Sequence, residues 1–280
     1  MNAGIRTVLR KSLRVAAVAG SLALAGCASV QTTQSGTVGV DRTQYMSSMV
    51  PEQALEQEAG QQYSEIIQKA RAQGALDQDA NQVARVRAIS KRLIAQVGTF
   101  RPDAAGWQWE VHVLSVSEVN AWCMPGGKIA VYTGLLAQIK PTDAELAAVL
   151  GHEISHALRE HARERVSQQM VTNLGLSVLS IATGVPADLG SKLTDVMFTL
   201  PNSRTHETEA DLMGVELAAR AGYDPRAAVT LWQKMGAADS GNAPPEFMST
   251  HPSAATRISE LQAASQRVMP LYEQAGGKSK

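Results

Sequence analysis

The segment HEISH at residues 152–156 constrains this chain more than any other feature. In an α-helix, residues four apart lie about 40° from each other on one face, so His152 and His156 can bind one metal ion. Glu153 then lies beside that ion, where it can act as a base toward a bound water molecule. This spacing is typical of zinc hydrolases, in which the two histidines are ligands. The sequence therefore predicts a helical site for one zinc ion, with Glu153 as the general base.

The residues around this segment indicate that the helix is buried. Thr142 can cap its start, and an apolar stretch at residues 146–151 precedes the motif. Two imidazoles and a carboxylate in an apolar helix need a polar partner, which a metal ion supplies. Residues 157–167 are polar and charged, so we predict that this end of the helix emerges into solvent.

A catalytic zinc ion takes three protein ligands and keeps one position open. His161 lies five residues after His156, about 140° further around a helix, so we expect it to support a ligand or lie at the surface. Glu207 and Asp211 lie four residues apart on a predicted helix. One of them can bind zinc while the other accepts a hydrogen bond from a ligand histidine. Glu209 would face the other side, toward solvent. An ordinary acidic helix start would produce the same pattern.

Taken together, these segments resemble the HtpX/Oma-type zinc metalloproteases, gluzincins related to the CAAX prenyl endopeptidases. The similar segments are HEISH at 152–156, SRTHETEAD at 203–211, NAWCMPGGKIAVYTGLL at 120–136, and THP at 250–252 with Arg257. The resemblance implies that His152, His156 and Glu207 bind zinc, that Glu153 is the base and that Asp211 supports a ligand. The long apolar helices of the membrane-spanning members are missing, which favours the soluble, periplasmic lipoprotein branch.

The C-terminal part of the resemblance adds two candidate catalytic residues, His251 and Arg257. His251 follows a stretch rich in glycine, asparagine and proline, so we predict a loop that can reach the zinc ion. There His251 and Arg257 could stabilise the oxyanion of the transition state. Alternatively, His251 could occupy the open zinc position in the resting enzyme. A histidine that only packs beside Pro252 or caps the last helix is the third alternative.

The first 27 residues have the pattern of a bacterial lipoprotein signal. Basic residues at 6–14 precede an apolar run at 15–24, which is too short to span a bilayer. The segment LAGC at 24–27 resembles a lipobox, in which Cys27 becomes the lipidated N-terminus and several acyl chains anchor the protein. Ala28 after this cysteine resembles the sorting pattern of outer-membrane lipoproteins. An ordinary secretory signal with Cys27 left free is the alternative.

These patterns divide the chain into four segments. They are a signal peptide at 1–26, a lipidated N-terminus and flexible linker at 27–45, a zinc metallopeptidase domain at 46–275, and a disordered tail at 276–280. The chain has 26 basic and 26 acidic residues, and nothing in this balance indicates nucleic-acid binding.

Three further residues receive a structural interpretation. If Cys27 carries lipid, Cys123 has no partner for an intramolecular disulfide. We interpret Cys123 as a buried strand residue, although a thiolate that blocks or senses the zinc ion is the alternative. We also interpret His112, in an alternating strand, and His206, beside Glu207, as structural residues.

The hydrophobic pattern predicts a mainly helical α+β fold. Residues 53–72 and 80–97 have the spacing of amphipathic helices, whereas 107–115 and 129–133 have that of strands. We expect three or four strands in a small sheet, with a hairpin beside the HExxH helix, in the thermolysin-like gluzincin architecture that the resemblance implies. The apolar residues 171–187 could form a core helix pair, a lid over the cleft or a membrane-dipping segment.

The predicted function is that of a zinc endopeptidase at the periplasmic face of the outer membrane. The resemblance implies that its substrates are misfolded or misassembled envelope polypeptides. A zinc-stabilised chaperone or assembly factor with little turnover is the alternative, and the complete set of base and ligands argues against it. The sequence leaves the cleavage preference and the oligomeric state open.

Overall fold

The structure, a computed structural model, describes residues 27–176, 189–238, 246–252 and 256–277. Its helices are Glu52–Ala72 (α1), Ala80–Ile94 (α2), Asp143–Leu158 (α3), His161–Leu176 (α4), Leu189–Thr194 (α5), Arg204–Arg220 (α6), Ala227–Ala238 (α7), Glu246–Thr250 (α8) and Arg257–Gln274 (α9). Its strands are Cys27–Val30 (β1), Gln44–Ser47 (β2), Glu110–Leu114 (β3), Ala121–Met124 (β4) and Lys128–Tyr132 (β5). Among these helices, none has both the length and the apolar character needed to cross a bilayer. The predicted signal peptide, most of the apolar segment 171–187 and the last three residues of the predicted tail lie outside the described residues.

A three-stranded sheet lies at the centre of the fold. β5 is the middle strand, with β3 parallel to it on one side and β4 antiparallel on the other. Alternate side chains point to opposite faces of a sheet. Ile129 and Val131 therefore join the larger core around α3, whereas Trp122 and Ala130 pack toward α1. The predicted α+β class and the hairpin beside the HExxH helix are both confirmed, since β4 packs against α3.

α1 closes one face of this sheet through a single apolar stripe. Its buried residues Leu55, Ala59, Tyr63 and Ile67 are spaced four apart, as an amphipathic helix requires. The Tyr63 hydroxyl donates to the Ile129 carbonyl oxygen at 3.0 Å, so the polar end of this side chain is satisfied within the core.

Residues 27–50, called the N-terminal segment below, pack on the domain. β1 and β2 form a separate antiparallel pair, and Val38 and Val40 are 3% and 4% exposed within the main core. The prediction of a flexible linker at 27–45 is therefore wrong for this part of the chain. Val38 and Val40 pack in the core, and the side chains of Thr32, Thr33 and Gln44 form hydrogen bonds with Arg159 of the domain.

The HExxH helix ends earlier than the sequence predicts. A two-residue turn separates α3 from α4, and its second residue, Glu160, has a left-handed φ of 51°. The residues beyond it are not in solvent, because Arg159, His161 and Glu164 are at most 1% exposed. The prediction of a solvent-exposed helix at 157–167 is wrong, since the N-terminal segment covers this side of the domain.

Candidate active site

α3 begins with a capping box and is buried along nearly all of its length. The Thr142 hydroxyl accepts a hydrogen bond from the Glu145 backbone N–H at 3.3 Å, and the Glu145 carboxylate accepts one from the Thr142 N–H at 2.7 Å. The predicted cap is confirmed. From Glu145 onward every residue of α3 is buried, so packing on all sides fixes the side chains of His152, Glu153 and His156.

α6 crosses α3 at two glycines, and this crossing sets the distance between the predicted ligands. A Cβ atom added to Gly151 would lie 2.8 Å from the Gly214 carbonyl oxygen, and one added to Gly214 would lie 2.7 Å from the His152 nitrogen. There is no room for a methyl group at either position. The close approach brings Glu207 and Asp211 of α6 to the imidazoles of α3. Sequence analysis did not single out this glycine pair.

Four buried side chains, those of His152, His156, Glu207 and His251, converge on one point. The Nε2 atoms of His152 and His156 are 3.0 Å apart. The His251 Nδ1 atom lies 3.2 Å from His152 Nε2 and 3.0 Å from Glu207 Oε1. His156 Nε2 is 3.3 Å from Glu207 Oε1. In a tetrahedral zinc site with metal–ligand distances of about 2.0–2.1 Å, neighbouring ligand atoms are about 3.3 Å apart. The spacing therefore fits a zinc ion.

The hydrogen bonds around the cluster direct nitrogen lone pairs toward this point. The Asp211 carboxylate accepts a hydrogen bond from His152 Nδ1 at 2.9 Å, which favours the tautomer with its lone pair on Nε2. His156 Nδ1 is 2.8 Å from His161 Nδ1, which leaves His156 Nε2 to face the cluster. Two unprotonated nitrogens 3.0 Å apart repel each other unless a cation lies between them. Neutral imidazoles and a carboxylate are ligands that zinc prefers.

Arg257 holds the carboxylates of Glu207 and Asp211 in place. Its guanidinium donates to Glu207 Oε2 at 3.1 Å and to Asp211 Oδ1 at 2.7 Å. The guanidinium carbon also lies 3.2 Å from the centroid of the Trp232 ring. The terminal nitrogens of Arg257 thus bind Glu207 and Asp211, whereas its Nε atom has no hydrogen-bond partner among the described residues. Its role as an oxyanion donor stays a prediction.

A cleft opens beside the cluster, and Glu153 lies on its wall. The Glu153 side chain is buried, and its Oε1 atom has no hydrogen-bond partner among the described residues. This oxygen lies 3.4 Å from His251 Nε2, within ion-pair distance but without hydrogen-bond geometry. Burial raises the pKa of Glu153. A buried carboxylate oxygen without a hydrogen-bond donor is unfavourable unless a molecule in the cleft donates to it. A general base needs the same access to molecules in the cleft.

β4 forms another wall of the same cleft. Ala121, Trp122 and Cys123 of this strand line it, and β4 is an edge strand of the central sheet. Cys123 is buried and unpaired, and burial raises its pKa well above the ordinary thiol value, with Glu153 adding to the effect. The thiol is therefore protonated at neutral pH, which supports the structural interpretation of this residue.

His161 contacts the candidate ligand His156 and does not lie at the surface. Its spacing from His156 had allowed either role. It is 1% exposed, and its Nε2 atom lies 3.0 Å from Glu209 Oε2. Burial, followed by the neighbouring His206, lowers its pKa well below the ordinary histidine value, so the ring is neutral. The break between α3 and α4 makes this possible, because a continuous helix would have carried His161 away from His156.

Glu209 does not face solvent, contrary to prediction. It is 5% exposed and accepts hydrogen bonds from Arg42 at 2.7 Å and from Arg159 at 3.1 Å. The helical geometry placed it correctly on the far side of α6 from the zinc ligands, but the N-terminal segment covers that side. Sequence reasoning missed Arg42 altogether, because it lies in the stretch interpreted as a linker.

The two histidines interpreted as structural have ordinary polar partners. His112 Nδ1 lies 2.7 Å from Asp77 Oδ2. His206 Nε2 lies 3.1 Å from Glu164 Oε2, and its ring stacks on that of His161 with centroids 4.3 Å apart. Neither ring belongs to the four-residue cluster.

Comparison with known proteins agrees with this geometry. The chain is 43% identical over 154 residues to the mitochondrial metalloendopeptidase OMA1 of Arabidopsis thaliana, a match that covers 54% of this chain and 30% of that protein. It is 38% identical over 199 residues to the OMA1 metalloendopeptidase of Bos taurus, covering 66% and 37%. It is also 25% identical over 201 residues to the beta-barrel assembly-enhancing protease of Escherichia coli, covering 68% and 40%. The chain thus spans less than half of the length of each of these relatives. The model of Peptidase family M48 matches residues 80–265, and the chain therefore belongs to Peptidase family M48.

Proposed function

We propose that this chain is a zinc-dependent endopeptidase. The observation that carries the proposal is the cluster of His152, His156, Glu207 and His251. Beside it lies the buried carboxylate of Glu153, whose Oε1 atom accepts no hydrogen bond from the described residues. The donor spacing suits zinc, and the cleft reaches both Glu153 and the edge strand β4. The names of the relatives, metalloendopeptidase and protease, support the same reaction class.

The residues of the site have three roles: zinc ligand, support of a ligand, and general base. His152, His156 and Glu207 would hold the zinc ion, while Asp211 fixes the ring of His152 through its Nδ1–H. A zinc ion bound there would polarise the scissile carbonyl and lower the pKa of a water molecule. Glu153 accepts the proton of the attacking water at Oε1 and passes it to the leaving amine.

The substrate would lie along β4. An extended polypeptide can add to an exposed strand edge through backbone hydrogen bonds, and β4 combines an edge position with a place on the cleft wall. This geometry fits an unfolded or partly unfolded chain, whose backbone groups are free to pair. It would recognise backbone more than any single side chain.

His251 would take the fourth ligand position in the conformation that the structure describes. Its Nδ1 atom lies among the three other ligand atoms, and its Nε2 atom points to Glu153. A ligand in that position keeps the attacking water out, and loop movement would be needed to start turnover. The arrangement supports the resting-state role for His251 over that of a free oxyanion donor.

We further propose that the protein works in a bacterial cell envelope on misfolded or misassembled envelope proteins, tethered by lipid on Cys27. The lipobox-like segment at 24–27 supports the anchor. The name of the Escherichia coli relative, a beta-barrel assembly-enhancing protease, supports an envelope role, whereas the OMA1 relatives are named as mitochondrial.

The test is proteolysis of an unfolded polypeptide by the purified full chain beside a Glu153→Gln variant. Glu153→Gln should bind zinc as the wild type does, because Glu153 is not among the ligand donors, and it should lose activity by about 10²–10⁴ or more. The readout is peptide release, with zinc content measured on the same samples. Cleavage at the wild-type rate by the variant would contradict the mechanism. Binding of the polypeptide without cleavage by either protein would favour the chaperone.

A further inference from the structure

A chain of hydrogen bonds leads away from the proposed zinc ligand His156 to His161 and Glu209. Its Nδ1 atom is 2.8 Å from His161 Nδ1, and His161 Nε2 is 3.0 Å from Glu209 Oε2. A carboxylate only accepts, so His161 donates from Nε2 and accepts at Nδ1. His156 must then donate from Nδ1, which leaves its Nε2 lone pair for the metal. A single assignment of protons therefore satisfies the hydrogen bonds of His156, His161 and Glu209.

Two arginines hold the carboxylate at the end of this chain. The Arg159 guanidinium donates to both oxygens of Glu209 at 3.1 and 3.2 Å. Arg42 donates to the same two oxygens at 2.7 and 3.1 Å. Arg42 also forms a two-point contact with Glu164 at 2.7 and 2.8 Å. The guanidinium of Arg42 therefore joins two buried carboxylates from different helices.

The charges of this buried group balance only because of the N-terminal segment. Glu164 and Glu209 are 1% and 5% exposed, and buried carboxylates need a cation and hydrogen bonds. Arg159 supplies one positive charge from the α3–α4 turn. Arg42 supplies the second from a position 167 residues away from Glu209 in the sequence. The N-terminal segment also lies outside the part of the chain that matches the family, which begins at residue 80.

We propose that His161 is a positioning residue for the zinc ligand His156, and that the N-terminal segment completes the arrangement through Arg42. His161 fixes the rotation and the proton position of the His156 ring, Glu209 fixes His161, and Arg42 holds Glu209. The inference rests on the proposed zinc site. In this arrangement both histidines of α3 are held in orientation, His152 by Asp211 and His156 by His161. The N-terminal segment then contributes to metal binding through Arg42.

The direct test replaces His161 by Phe, which keeps a ring of similar size but has no nitrogen. Loss of a residue that orients a metal ligand lowers metal affinity by about 10- to 100-fold, and we expect a loss in that range for His161→Phe. Competition with a chromophoric chelator measures the zinc affinity of the full chain. The visible spectrum of the cobalt-substituted protein should change as well, since it depends on the geometry of the His156 ring. His161→Gln, whose amide oxygen can accept from His156 Nδ1, should recover part of the affinity.

His206→Phe is the matched control for this substitution. His206 is equally buried and stacks on His161, but its hydrogen bond goes to Glu164 and not to a zinc ligand. It should keep the cobalt spectrum and the zinc affinity of the wild type within about threefold. An equal loss of affinity in both variants would mean a general disturbance of packing and would overturn the positioning role.

A second pair of variants tests the N-terminal segment. Arg42→Gln removes the guanidinium that holds Glu209, and we expect zinc affinity to fall by about tenfold. Arg267→Gln removes a different anchor of the same segment, a 2.8 Å hydrogen bond to the Val38 carbonyl, and should leave zinc affinity unchanged. If both variants bind zinc as the wild type does, Arg42 has no part in the site.

The outcomes separate this inference from the proposed function. A wild-type protein that binds no zinc would contradict the proposed function itself. Zinc binding by the wild type, with unchanged affinity and an unchanged cobalt spectrum in His161→Phe, would overturn the positioning role alone. If His161→Phe does not fold, Glu209→Gln decides, because it keeps the size of the side chain but removes the charge that the arginines bind. Unchanged zinc affinity in that variant would overturn the inference in the same way.

Discussion

His251 is the single residue whose removal should raise activity. It lies 3.0 Å from Glu207 and 3.4 Å from Glu153, where it competes with an incoming water for the fourth ligand position. We predict that His251→Ala increases basal hydrolysis of an unfolded polypeptide several-fold. The double variant Glu153→Gln/His251→Ala should remain inactive. A fall of about 10²–10³ in rate would instead identify His251 as an oxyanion donor, and an unchanged rate would leave it only a packing role.

The residues of the candidate zinc site that come from α3 and α6 could be singled out from the sequence because their pattern is local. His152 and His156 share one helix face, and the spacing of Glu207 and Asp211 marked both as candidates, with the family resemblance selecting between them. The contact of Asp211 with His152 Nδ1 agrees with the role predicted for it. These inferences need helical geometry, the ligand preferences of zinc and, for the choice of Glu207 over Asp211, the family resemblance.

The surroundings of the site could not be predicted in the same way. Glu209 was correctly predicted to lie on the far side of α6. Whether that side is exposed to solvent depends on Arg42, which lies 167 residues away in the sequence. The position of His161 depends on a helix break at Glu160, which has a left-handed φ without being glycine or asparagine. No local pattern in the sequence signals either feature.

At the scale of helices, the crossing of α3 and α6 leaves no room for an added methyl group. A methyl group on Gly214 would lie 2.7 Å from the His152 nitrogen, so α6 would have to move away and carry Glu207 with it. We predict that Gly214→Ala lowers the free energy of unfolding by about 1–3 kcal/mol and weakens zinc binding. Thermal unfolding and chelator competition measure the two effects.

Gly236→Ala is the matched control for this helix crossing. Gly236 lies within α7, and a Cβ added there has no atom within 4 Å. Alanine in a helix interior is favoured over glycine by about 0.5–1 kcal/mol, so this variant should be slightly more stable and bind zinc normally. Equal behaviour of the two glycine variants would show that the close approach does not set the ligand geometry.

For the molecule as a whole, the packing of the N-terminal segment on the domain bears on the proposed lipid anchor. Cys27 is the first residue of β1 and pairs with Ser47, so lipid on Cys27 would hold the domain close to the bilayer surface. We predict that Cys27→Ser releases the protein from the membrane fraction of a Gram-negative host, whereas Cys123→Ser does not. Mass spectrometry should find acyl chains on the mature N-terminus. An unlipidated Cys27, or a disulfide between the two cysteines, would refute the anchor.

The attachment of the N-terminal segment should also depend on pH. Burial alone would raise the pKa of Glu164, but hydrogen bonds from Arg42, His206 and Gln44 hold it well below the ordinary value of 4.5. A carboxylate with a lowered pKa stabilises the folded state fully above its unfolded-state pKa, and this stability is lost as the pH falls below that value.

The metal-free wild type should therefore lose thermal stability on acidification from pH of about 7 to about 3 more steeply than Arg42→Gln. The difference in Tm between the two should be largest near neutral pH and shrink in acid, whereas Arg267→Gln should differ from the wild type by a constant amount. Unfolding curves recorded in a chelator, to keep zinc release out of the comparison, would measure this. A Tm difference between wild type and Arg42→Gln that stays constant with pH would show that Arg42 and Glu164 do not interact in the folded protein.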